Sequence, residues 1–129
     1  MRKIATVKND HPKVKRVILH QSEDGVYVFP CTSLEDGSAI GDNWFQTLSE
    51  ADEACYQLYG ISSTDWEEIG DPPEGCQQDW IAPVRVKGRS IGQPQWGTFE
   101  RLGDDGIWRE IPRGAPKAQS KTPSGKDAA

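Results

Sequence analysis

The stretch Val14-Lys15-Arg16-Val17-Ile18-Leu19-His20-Gln21-Ser22-Glu23-Asp24-Gly25-Val26-Tyr27-Val28-Phe29-Pro30-Cys31-Thr32-Ser33 decides the fold class. Two runs rich in β-branched and aromatic residues, 14–21 and 26–33, flank Asp24-Gly25. Asp-Gly between apolar runs is the strongest short-range hairpin signal. With Asp24-Gly25 as the turn pair, His20 falls opposite Phe29 and Ile18 opposite Cys31. Side chains alternate between faces along a strand. One face therefore carries Ile18, His20, Tyr27, Phe29 and Cys31, and the other Val17, Leu19, Val26, Val28 and Pro30. Both faces are apolar, so the hairpin needs cover on both sides, from the chain's own helix, another layer or a second copy forming a homodimer.

Further along, Thr47 and Glu50 make a capping box. Leu48, Ala51, Cys55 and Leu58 recur at helical spacing, and Gly60 stands at the C-cap with Ile61 behind it. This pattern predicts a helix over 47–59. Trp66 to Ile69 reads as a short extended segment, and Gly70-Asp71-Pro72-Pro73-Glu74-Gly75 as a rigid loop. Over 81–89 the residues alternate, Val84 and Val86 facing one way and Arg85, Lys87 and Arg89 the other. Segments 96–102 and 107–111 flank Asp104-Asp105-Gly106 as a second hairpin. Either near register sets a Glu beside an Arg, Glu100 by Arg109 or Glu110 by Arg101, which favours pairing. The order β-β-α-β-β-β-β is α+β: one main helix packed on a mostly antiparallel sheet. Residues 1–12 read as a basic N-terminal tail. Residues 113–129 lack large apolar side chains and read as a flexible basic tail. That leaves one domain over 13–112.

The charges are segregated. The net charge of −5 over 129 residues divides into three blocks. Residues 1–16 set Arg2, Lys3, Lys8, Lys13, Lys15 and Arg16 against Asp10, and 113–129 set Arg113, Lys117, Lys121 and Lys126 against Asp127. From Val17 to Val84 there is no Lys or Arg at all, while 14 carboxylates fall in that span. Self-repulsion on this scale destabilises a compact state, which suggests a basic partner. The helix macrodipole accounts for Glu50, Asp52 and Glu53, and turn geometry accounts for Asp24, Asp36 and Asp71. The rest need another reason.

Catalytic and metal chemistry finds little to stand on. Cys31, Cys55 and Cys76 are an odd number, share no C-x-x-C spacing, and make no zinc-ligand pattern with His11 or His20. No metal or other cofactor is expected. Cys76 lies among Glu74, Gln77, Gln78 and Asp79, and acids and amides favour the neutral thiol over a nucleophilic thiolate. There is no nucleophile elbow and no phosphate-cradling glycine loop. A small enzyme centred on Cys76 or His20 is the weakest of three readings. The second is a nucleic-acid binder using the Arg85, Lys87 and Arg89 strand face with the basic tails. It is opposed by the acidity of the rest of the domain.

The leading expectation is a non-enzymatic acidic protein that docks a basic protein partner, of inhibitor, immunity-like or adaptor type. Its expected anchors are the acids outside cap and turns, Glu35, Asp42, Glu67, Glu68, Glu74 and Asp79, with Trp44, Trp66 and Trp80 as apolar hot spots. No apolar run approaches the roughly 20 residues that span a bilayer. The start has no apolar signal-peptide core, so the expected location is the cytoplasm.

Overall fold

The computed structural model describes residues 1–112 and bears out the α+β class, with two antiparallel sheets and one main helix. The expected tail over 113–129 lies outside the described residues. Strands β1 (Arg2–Thr6), β2 (Arg16–Ser22), β3 (Gly25–Cys31) and β4 (Asn43–Phe45) precede helix α1 (Leu48–Tyr59). Strands β5 (Glu67–Ile69), β6 (Val84–Val86), β7 (Phe99–Leu102) and β8 (Trp108–Glu110) follow it, with a 3-10 turn over Arg89–Ile91 between β6 and β7. The first sheet has the order β4-β3-β2-β1-β5 and the second β6-β7-β8. Every pairing is antiparallel, so β4 and β5 run the same way at opposite edges of the first sheet. Helix α1 makes the connection across one face.

The N-terminal segment is not a tail. Residues 2–6 form β1, between β2 and β5, with Ala5 and Val7 buried in the helix-side core. The charged start conceals this role because Arg2 and Lys3 are satisfied by distant residues. Lys3 meets Asp52 of α1 at 2.8 Å on the helix side of the sheet. Arg2, only 1% exposed, lies on the other side and donates to four backbone carbonyls: Gly70, Gln78, Trp80 and Ile81.

The first hairpin turns one residue earlier than expected. Ser22 pairs with Gly25, so Glu23-Asp24 is the turn, and His20 stands opposite Tyr27 and Ile18 opposite Phe29. Moving the turn by one residue shifts each pairing by two, which leaves both faces unchanged. Val17, Leu19, Val26 and Val28 are each 2% exposed or less and pack on Ala51, Cys55, Tyr59 and Ile61. The opposite face is covered in part by the segments over 32–42 and 70–82. Ile18, Cys31, Arg2 and Arg16 are buried there. The cover that seemed to call for a second copy therefore comes largely from the chain itself.

Helix α1 has the predicted capping box, with Glu50 N bonded to Thr47 Oγ1 and Thr47 N to Glu50 Oε1, and Gly60 ends it in the left-handed region. Its inward face differs at the end. Tyr59 is buried and Leu58 exposed, because the buried stripe runs in four-residue steps through Ala51, Cys55 and Tyr59. In the second sheet the expected Glu–Arg registers give way to one between them, Glu100 opposite Glu110 and Arg101 opposite Arg109. Backbone bonds Gly103 N–Ile107 O and Gly106 N–Gly103 O, with Gly106 at φ 80°, close a three-residue loop that sets this register. The like charges are offset from elsewhere. Glu100 meets Arg85 and Glu110 meets Lys87, each at 2.7 Å across the sheet, while Arg109 turns to Asp105 and Arg101 to Asp36.

Candidate docking surface

Pairing across the first sheet lines up side chains in a lateral row on the face away from α1. Ile69, Arg2, His20, Tyr27 and Trp44 are successive partners across all five strands. The loop over 70–82 closes over the Arg2 end. At the other end the cover stops: His20, Tyr27 and Phe29 are half-buried and Trp44 is 53% exposed. Tyr27 and Phe29 stack with ring centroids 6.3 Å apart and planes 10° from parallel.

Trp44 is seated on Gly25. A Cβ at position 25 would lie 2.2 Å from the indole Nε1 and within 2.6 Å of two ring carbons, and Gly25 has φ +141°. Only glycine leaves both the backbone and the ring where they are. An exposed tryptophan is thus held against the sheet on the floor that a missing side chain provides.

Carboxylates rim this end. Ser22 Oγ donates to the Asp24 carboxylate, and Tyr27 Oη donates to its other oxygen at 3.4 Å. The Ser22 hydrogen bond holds the Asp24 carboxyl below its ordinary pKa. The negative charge of Asp24, and after it burial and then Asp42 further off, pushes the Tyr27 phenol up. Burial, and then the chain's amino terminus, hold the His20 imidazole below its ordinary value. At neutral pH this end of the face presents aromatic rings, a neutral imidazole and anionic oxygens, which suits a cationic ligand.

The expected anchors are scattered. Trp44 and Asp42 belong to the β4 edge, and Glu35 is exposed on the segment that leads to it. Glu67 and Glu68 are exposed on β5, at the opposite edge. Four inter-strand steps of ~4.8 Å put the two edges about 19 Å apart. Glu74 is exposed on the loop over 70–82. The other three serve the interior. Trp80 is 8% exposed. Trp66 packs on the helix-side core, with Lys3 Nζ 4.6 Å from its ring centre. Asp79 accepts from Ala39 N at 2.9 Å, and burial pushes its carboxyl up.

The cationic face proposed for nucleic acid is largely neutralised from within. Arg85 is ion-paired to Glu100 and stacks 3.7 Å above the Trp108 ring, and Lys87 is paired to Glu110. Arg89 stands beyond β6 on the 3-10 turn and donates to Gly75 O. Among the cysteines, burial pushes the Cys76 thiol up and takes Cys55 to about 12. No hydrogen bond joins Cys76 to His20 among the described residues. No group of three or more His, Cys, Asp or Glu gathers there as a metal site either. A cleft of about 400 Å³ beside Asp36, Trp80, Arg101 and Arg109 has its two arginines turned to carboxylates, Asp36 and Asp105.

Sequence reading put His20, Tyr27 and Phe29 on one strand face, yet it missed their position beside Trp44. The missing signal was β4, a three-residue strand whose Asn43-Trp44-Phe45 sequence is too short to show alternation. No known protein family, curated protein or solved structure matches this chain. No helix of the described residues is long and apolar enough to cross a membrane.

Proposed function

We propose that this chain is a non-enzymatic binding protein that docks a basic protein partner through its acidic surface. The observation that carries the reading is the partition of charge. Apart from Lys13, Lys15 and Arg89, every basic side chain of the described residues is buried or ion-paired within the chain. Glu23, Glu35, Asp42, Glu67, Glu68 and Glu74 are exposed, and none has a cation within ion-pair distance among those residues. An uncompensated surface of one sign steers association with a partner of the opposite sign and rejects polyanions. Three free cysteines, two of them buried, support a reducing compartment and hence the cytoplasm.

Co-purification from the native host at low and high salt tests this reading. The Debye length falls from about 10 Å at 0.1 M to about 3 Å at 1 M, so a basic protein held by this surface should elute as salt rises. Recovery of nucleic acid in its place, or a partner retained unchanged at 1 M salt, would overturn the reading.

A further inference from the structure

The chain builds the same three-part arrangement twice among its half-buried side chains. Trp108 lies under the Arg85 guanidinium at 3.7 Å while Glu100 holds that guanidinium at 2.7 Å. Trp66 lies under the Lys3 ammonium at 4.6 Å while Asp52 holds it at 2.8 Å. In each case an indole face and a carboxylate oxygen take one cation between them.

Trp44 and Asp42 have the first two parts of this arrangement. Asp42 immediately precedes β4, two residues before Trp44, and its charge reaches Tyr27, the residue opposite Trp44. Asp42 is exposed, Trp44 is 53% exposed on its Gly25 seat, and neither has a cation from the described residues. Tyr27, which pairs with Trp44, and the Asp24 carboxylate bonded to it extend the same surface. From this repetition we infer that Trp44 and Asp42, with Tyr27 and Asp24 beside them, form a recognition seat for an arginine side chain of the partner. The inference rests on the proposed function and names the group the acidic surface reads. Arginine suits the seat better than lysine, because a planar guanidinium stacks on indole while bonding a carboxylate in its own plane. The seat is also prepared in advance, since Gly25 holds the indole in position before a ligand arrives.

The test is titration of the full chain with a hexa-arginine peptide, followed by calorimetry and by amide chemical shifts, with hexalysine in parallel. Shifts should concentrate on residues 24–29 and 42–45, and hexa-arginine should bind more tightly than hexalysine. Trp44→Ala should weaken hexa-arginine binding about tenfold. Asp42→Asn, an exposed change that leaves the core intact, should weaken it several-fold. The double variant Glu67→Gln, Glu68→Gln at the far edge should stay within about twofold of the parent. Binding unchanged by Trp44→Ala, with the Asp42 and Glu67/Glu68 changes weakening it in proportion to the charge each removes, would mean docking by charge alone; it would overturn the seat and leave the proposed function standing. No binding of hexa-arginine at low salt, or shifts centred on 67–69, would likewise overturn the seat. Failure of the proposed function is read separately, from the co-purified partner.

Discussion

Arg2 joins the first sheet to the loop that leads into the second. Its guanidinium is buried among the carbonyls of Gly70, Gln78, Trp80 and Ile81, with no ion pair to a carboxylate among the described residues. Burial lowers its pKa, and the charges of Asp71, Asp36 and Asp79 act to restore it. Arg2→Met keeps the bulk but strands several buried acceptors, so it should cost about 3 kcal/mol. A lower urea midpoint at an unchanged slope would register that loss. Asp79 gives a pH dependence of its own. Burial raises its folded pKa above the unfolded value of 3.8, so the native state binds the proton more tightly than the unfolded chain. This group's contribution to stability therefore falls as pH rises from 3.8 through the folded value. Asp79→Asn keeps an acceptor for Ala39 N without that cost. The variant should gain stability relative to the parent across the window, measured as thermal midpoints at successive pH values.

At the scale of elements, short-range rules and non-local packing divide the result. The capping box and the Gly60 cap of α1 depend on residues three or four apart, and the structure has them as the sequence predicts. Thr47→Ala should cost about 1 kcal/mol by denaturant melting. Leu58 reads as core by spacing but stands exposed, so Leu58→Glu should change stability by no more than about 0.5 kcal/mol. A loss several times larger would return Leu58 to the core. Strands β1 and β4 escaped the sequence reading for different reasons. β1 looks polar because Arg2 and Lys3 find their partners many residues away, and β4 has three residues and no period to read. In the β7–β8 hairpin, charge matching suggested either of two registers, and loop closure at Gly103–Ile107 sets the one between them.

For the whole molecule, the cover of the first hairpin bears on assembly. Two apolar faces would call for a partner subunit if the chain could cover only one. Helix α1 takes the Val17, Leu19, Val26 and Val28 face, and the segments over 32–42 and 70–82 cover the Arg2, Arg16, Ile18 and Cys31 part of the other. Sedimentation should accordingly find the chain at its monomer mass of 14.3 kDa. A dimer that dissociates on Trp44→Ala would show instead that the open end of the row is a contact between copies.

Alternation, turn chemistry and capping made the α+β class, the composition of the two hairpin faces and the helix ends readable in the residues themselves. These depend on neighbours within a few positions, and an offset of the turn by one residue leaves the faces as they were. The free acids were readable too, because a span without Lys or Arg has no local cations to pair with. Which acids stay free was decided by the tertiary structure, which buries Asp79 against Ala39 and sets Asp42 and Glu67 at opposite edges of a sheet. The seat at Trp44 was decided there as well. It needs β4 beside β3 and a glycine under the indole, and that glycine lies 19 positions earlier in the chain. Strand pairing brings the two together; nothing local to either residue records it.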